Sequence, residues 1–132
     1  MIFSFADKKG WVLLCHASAD PNKWEKICAK YKNASFIVAH AVGTDGRNPA
    51  VFKLAELARR CKNLYLDCAA SGMTPGILKK LTAVAGAEQI TFGSDYPMFD
   101  FAYEAGRVIA SSLSEKEKDL ILYGNAKRLL RL

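Results

Sequence analysis

Histidine is scarce in this chain: only His16 and His40 occur among 132 residues. Chemistry that needs imidazole has those two positions and no others. No apolar run approaches the ~20 residues needed to cross a bilayer. The start, Met1-Ile2-Phe3-Ser4-Phe5-Ala6 followed by Asp7-Lys8-Lys9, lacks the basic, apolar, small-residue order of a signal peptide. A cytoplasmic protein without membrane contact is expected. Cys-x-x-Cys pairs are missing too. Cys15, Cys28, Cys61 and Cys68 sit singly inside apolar patterns, as small buried thiols do. A disulfide framework and an all-cysteine zinc site are therefore not expected.

What is present is ordinary core material. A hydrophobic fraction of 51% with 24% charged residues suits a single globular domain over residues 1–132. The formal charge of +6 would fit a nucleic-acid partner only if the cations clustered with aromatics. Instead Lys23, Lys26 and Lys30, Arg59 and Arg60, Lys79 and Lys80, and Lys116 and Lys118 fall on segments that read as outer helix faces. No nucleic acid is expected.

The chain repeats one unit. Met1 to Lys9 reads as the end of a helix stopped by Gly10. Trp11–Cys15 is a short apolar strand ending on His16. Asp20-Pro21 then caps and opens a helix that buries Trp24, Ile27, Cys28 and Tyr31. Ser35–Ala39 is the next strand and ends on His40. A loop from Val42 to Asn48 leads through Asn48-Pro49 into a helix carrying Phe52, Leu54, Ala55, Leu57 and Ala58. Leu64–Leu66 closes on Asp67, and Thr74-Pro75 starts a helix with Ile77, Leu78, Leu81 and Val84. Ile90–Phe92 is a fourth strand, followed by a helix from Phe101 to Leu113. Ser114-Glu115-Lys116-Glu117 is a capping box. The helix after it carries Leu120, Ile121 and Tyr123 and is interrupted at Gly124-Asn125.

Four strand–loop–helix units with continuous apolar strands indicate a parallel sheet covered by helices. A (β/α)8 barrel takes about 250 residues. The fold class expected is therefore α/β, half of a (β/α)8 TIM barrel: four parallel β–α units plus a C-terminal helix.

Every polar strand terminus lies at the C-terminal end of its strand: His16, His40, Asp67 and Asp95. In parallel α/β sheets chemistry is built at that end. By strand alternation His16 shares a face with Val12 and Leu14, His40 with Phe36 and Val38, and Asp95 with Thr91 and Gly93. If those faces meet the barrel axis, two imidazoles and a carboxylate converge at one mouth. Nitrogen and carboxylate donors suit Zn²⁺, Fe²⁺ or Mn²⁺. The plainer alternative makes the histidines structural and Asp95 the cap of the following turn. Pro97 biases Tyr96 away from helix, so the chain is expected to leave the strand extended.

Several stretches resemble a known family. They are Leu13-Leu14-Cys15-His16-Ala17-Ser18, Phe36-Ile37-Val38-Ala39-His40-Ala41, Asn63-Leu64-Tyr65-Leu66-Asp67, Phe92-Gly93-Ser94-Asp95-Tyr96-Pro97, and Tyr123-Gly124-Asn125-Ala126-Lys127-Arg128-Leu129-Leu130. In collinear order they look like the second half of the amidohydrolase family related to aminocarboxymuconate semialdehyde decarboxylase. The resemblance implies a barrel with a divalent metal, here zinc, at the C-terminal mouth. It implies His16 as the strand-five ligand, His40 as the strand-six histidine that ligates metal or acts on substrate, and Asp95 as the strand-eight acid that binds metal and shuttles a proton. Metal-dependent hydrolysis or decarboxylation of a small carboxylated or cyclic substrate would follow, with Arg47 in reach of a substrate carboxylate. The family's first-strand His-x-His pair has no match here. A homodimer or a complementing N-terminal half is therefore expected. The rivals are a non-catalytic half-barrel and a small α/β binding domain that assembles through its sheet edges. Open edges are expected at Trp11–Leu14 and Ile90–Phe92, with an uncovered face carrying Val12, Leu14, Phe36 and Val38.

Overall fold

A computed structural model describes residues 1–16, 20–41, 49–69 and 76–132. Arg47 and the Thr74-Pro75 helix start lie outside the described residues. The elements in order are α1 (Ile2–Lys9), β1 (Val12–Cys15), α2 (Pro21–Lys30), β2 (Ser35–Val38), α3 (Pro49–Arg60), β3 (Leu64–Asp67), α4 (Ile77–Ala85), a 3-10 turn (Ala87–Gln89), β4 (Ile90–Thr91), α5 (Phe101–Ile109), α6 (Glu115–Asp119), a π turn (Leu120–Gly124) and α7 (Asn125–Leu130). The strands form one parallel sheet in the order β1-β2-β3-β4. This is the α/β half-barrel that the sequence leads one to expect. No helix among the described residues is long and apolar enough to cross a membrane.

Local chemistry sets the element ends. Gly10 stops α1 with φ 63, where a side chain would be strained. Asp20 caps α2 by accepting from the Asn22 N–H at 3.0 Å. The Ser114–Glu117 capping box opens α6. Asp100 caps α5, accepting from the backbone of Ala102 and Tyr103. That helix ends at Ile109 rather than at Leu113. Ser111 Oγ donates to the Val108 carbonyl at 2.7 Å, a side-chain bond that competes with continued helix. Gly124-Asn125 does not interrupt the last helix, which runs on through the π turn into α7. Of its apolar residues Ile121 is buried, whereas Tyr123 is exposed.

The core lies between the sheet and its helices, and it corrects the expected inner face. Phe36, Val38, Leu64, Leu66 and Ile90 are fully buried on the helix side. Phe36 packs against the rings of Trp24 at 5.9 Å and Phe3 at 5.3 Å. The reason is register. Cys15 lies beside Val38 and Leu14 beside Ile37, so β2 presents its odd residues to the face that carries Leu14. The open face is made by Leu14, Ile37, Asp67 and Thr91, with Leu14 66% exposed.

The β4 edge is not open as expected. The buried Asn125 side chain donates to the carbonyls of Ala87 and Ile90, both at 2.7 Å. The Phe92 N–H donates to the Ile121 carbonyl at 2.9 Å, in the π turn. The C-terminal helix therefore takes two of the groups through which a neighbouring strand would bond.

Candidate functional site

Register alone would not bring the two histidines together. Since Cys15 lies beside Val38, His16 follows in line with Ala39, and His40 comes one residue later. His40 has φ 55, a left-handed backbone that turns its side chain back toward the mouth. Its ring centroid lies 5.2 Å from that of His16, at an interplanar angle of 70°. Its Nδ1 lies 3.6 Å from Asp95 Oδ2, longer than a hydrogen bond. That nitrogen is itself buried and has no hydrogen-bond partner among the described residues.

Asp95 also has φ 55. The chain does not leave β4 extended. It turns: the Met98 N–H donates to the Asp95 carbonyl at 2.9 Å, the Tyr96 N–H donates to Ser94 Oγ at 3.4 Å, and the Tyr96–Pro97 peptide is cis. The Asp95 carboxylate is thereby directed to His40 instead of capping α5, which Asp100 does.

Asp67 ends β3 and is buried, with its Oδ1 accepting from the Ala69 N–H at 2.5 Å. Burial raises its carboxyl above the usual range. The Ala69 N–H and His40 oppose that rise, while Asp95 and Glu104 add to it. Gly93 makes room for this carboxylate: a Cβ there would fall 2.7 Å from Asp67 Cγ. Sequence pattern missed both Gly93 and Glu104. Glu104 is 2% exposed and pairs with Arg107 at 2.6 Å, yet an acid three residues before a base on a helix looks like a solvated face. The cue to Gly93 is its place two residues before Asp95, just past a strand that adjoins one ending in an acid.

Below the mouth a cavity of about 350 Å³ runs along the open face. Its lining combines the polar residues Asp67, Thr91, Ser94 and Asp95 with the apolar Leu14, Ile37, Leu129 and Leu130. That size and the mix of a few polar groups with apolar walls suit a small organic molecule. His16, His40 and Asp95 thus meet as neighbours. No group of three His, Cys, Asp or Glu side chains able to hold a metal ion is formed among the described residues.

The amidohydrolase family model matches residues 1–132. The chain belongs to the amidohydrolase family. Solved structures share the fold of this amidohydrolase chain at low identity. Amidohydrolase 2 from Bifidobacterium longum subsp. infantis is 15% identical with a TM-score of 0.78, over 98% of this chain and 53% of that one. An amidohydrolase from Burkholderia multivorans with bound zinc is 17% identical with a TM-score of 0.72, over 98% and 56%. A dihydroxybenzoic acid decarboxylase from Polaromonas sp. JS666, with bound manganese and the inhibitor 2-nitroresorcinol, is 24% identical with a TM-score of 0.60, over 80% and 36%. The chain spans about half the length of the first two and less of the third. No curated protein matches the sequence significantly.

Proposed function

We propose that this chain supplies strand-end donors to a metal-dependent hydrolase or decarboxylase site that acts on a small carboxylated or cyclic substrate. It would do so as the C-terminal half of the barrel, in the cytoplasm. The observation that carries the reading is the His40 Nδ1, buried without a hydrogen bond among the described residues and facing a carboxylate oxygen 3.6 Å away. A buried polar atom left unsatisfied costs about 1–3 kcal/mol, which favours a role for it toward a ligand. Imidazole nitrogen and carboxylate oxygen together fit a borderline divalent ion, zinc above all.

When bound, such an ion polarises a carbonyl group and lowers the pKa of water. His16, His40 and Asp95 are the residues that would hold it. In the alternative role, in which it is not a ligand, His40 would take up a proton at Nδ1, with Asp95 Oδ2 the neighbouring acceptor for passing it on. Leu14 and Ile37 line the cavity and would seat the apolar part of a substrate. Arg47, which follows His40 in sequence, is assigned to a substrate carboxylate.

A second reading, a half-barrel that does not hold metal tightly, is favoured by the lack of a three-donor group among the described residues. Titration of the chain with Zn²⁺ and Mn²⁺ separates the two. The expected result is saturable but weak binding, reduced roughly tenfold or more in His16→Ala and in Asp95→Ala. Isotherms identical to wild type in both variants would remove these residues from the site. No saturable binding at all would leave the second reading standing.

A further inference from the structure

We propose that Cys28 and Cys61 are an oxidisable pair, which a peroxide converts to a disulfide that fastens α2 to α3. Cys28 lies in the last turn of α2, and Cys61 directly follows α3. Helices that connect parallel strands run back against them, so these helix ends lie beside the strand starts, away from His16 and His40. There the two side chains hydrogen-bond each other. Both thiols are free in this structure.

The backbone on either side of the contact is fixed. The Cys61 N–H donates to the Leu57 carbonyl at 2.8 Å, and the Cys61 carbonyl accepts from the Leu64 N–H at 3.0 Å. Asn63 donates its side-chain amide to the carbonyls of Cys28 at 3.4 Å, Tyr31 at 2.8 Å and Ala34 at 3.2 Å. Arg60 of α3 and Glu25 of α2 approach to 3.7 Å. All of these groups belong to α2, α3 and the turns into β2 and β3. The contact is therefore independent of whatever pairs with β1.

Small buried thiols often do no more than pack. Here exposure is uneven: Cys28 is 4% exposed, whereas Cys61 is half-buried, so an oxidant in solution reaches one member. Burial is the largest cause at both thiols and raises both, which keeps the pair reduced and protonated at rest. At Cys61 the Arg60 guanidinium and the bond with Cys28 oppose the rise, while Glu25 adds to it. Cys61 is thus the member that ionises and reacts first.

The Cys61 thiolate attacks one oxygen of hydrogen peroxide. An S–O bond forms, the O–O bond breaks, and the departing hydroxide takes up the proton that Cys61 released. The Cys28 sulfur, already in contact, then attacks the sulfenic acid at the Cys61 sulfur. The S–S bond forms, the S–O bond breaks, and the hydroxyl leaves as water with the Cys28 proton. Two thiols are oxidised by two electrons, and one peroxide is reduced to two waters. In a reducing compartment such a bond is transient, as redox-sensing disulfides are.

Peroxide treatment of the whole native chain tests the proposal, followed by alkylation of the remaining thiols in denaturant and peptide mapping by mass spectrometry. The expected product is a linked peptide pair containing Cys28 and Cys61, which dithiothreitol separates. Cys61→Ser should abolish the link. Cys28→Ser should leave Cys61 as a sulfenic acid that dimedone traps. If Cys28→Ser fails to fold, the wild-type map and Cys61→Ser, a change at a half-buried position, still decide. Oxidation in urea should scatter the pairings among the four cysteines. The same scatter in the native chain, links between chains only, Cys61 carried on to sulfinic acid without a link, or both thiols unreacted would each overturn the proposal.

Discussion

Nδ1 of His40 lies 3.6 Å from Oδ2 of Asp95, although the two residues follow strands that are not neighbours. Each has φ 55, in the left-handed region. That conformation costs an ordinary L residue about 1–2 kcal/mol, and histidine and aspartate are among the types that enter it most readily. Strain of this kind persists only where the surroundings fix it, and it concentrates at functional sites. The bonds from Met98 to the Asp95 carbonyl and from Tyr96 to Ser94 Oγ supply such fixing on one side of the mouth.

The backbone strain has a direct readout. In most positions alanine is more stable than glycine, because glycine gains more freedom on unfolding. At residues 40 and 95 the order should reverse. His40→Gly and Asp95→Gly should exceed His40→Ala and Asp95→Ala by about 1 kcal/mol each in urea unfolding. Alanine variants as stable as the glycine variants would show that neither backbone is held left-handed in solution.

Gly93 and Asp67 should behave as a coupled pair. A methyl group at position 93 meets the Asp67 carboxylate, so Gly93→Ala should lose about 1–3 kcal/mol. Removing the carboxylate opens the space. The double variant Gly93→Ala/Asp67→Ala should be more stable than the sum of the single changes by about 1 kcal/mol or more. Additive effects in a thermal unfolding cycle would mean that the two groups are not in contact.

Much of this arrangement was legible in the sequence. Alternating apolar strands and capped helices gave the parallel sheet, and Asp20-Pro21, Gly10 and the Ser114–Glu117 box marked ends that the structure keeps. Of the strand termini, His40 comes beside His16 and beside Asp95. Harder to read was the offset between β1 and β2. Alternation along a strand says which residues share a face, but not which face turns inward. Phe36 and Val38 were therefore expected on the open side, when their bulk fits beneath Trp24 and Phe3. Nor does sequence show that a π turn frees the Ile121 carbonyl for Phe92, because the turn is compatible with the same apolar spacing as a plain helix. Gly124-Asn125 looked like a break for that reason. Asn125 is instead a buried donor that covers Ile90.

The buried thiols give a stability that depends on pH. Burial is the largest cause at both Cys28 and Cys68, and it pushes each thiol up to about 12. At Cys28 the neighbouring Cys61 adds to the rise. At Cys68 the Gly93 N–H opposes it. An unfolded thiol ionises near 8.5, so above that pH the unfolded chain loses protons that the folded chain keeps. Stability linked to these groups is then fully present below about pH 8.5 and falls as pH rises toward 12. Urea unfolding midpoints should decline between about pH 8 and 10, before lysine and tyrosine ionisation dominates. Cys68→Ala should flatten that decline, whatever it costs at neutral pH. In the folded protein, iodoacetamide should label Cys28 and Cys68 much more slowly than in urea, since the thiolate is the reactive form. A midpoint that stays constant across this range, or native labelling as fast as in urea, would mean that these thiols are not buried as the fold places them.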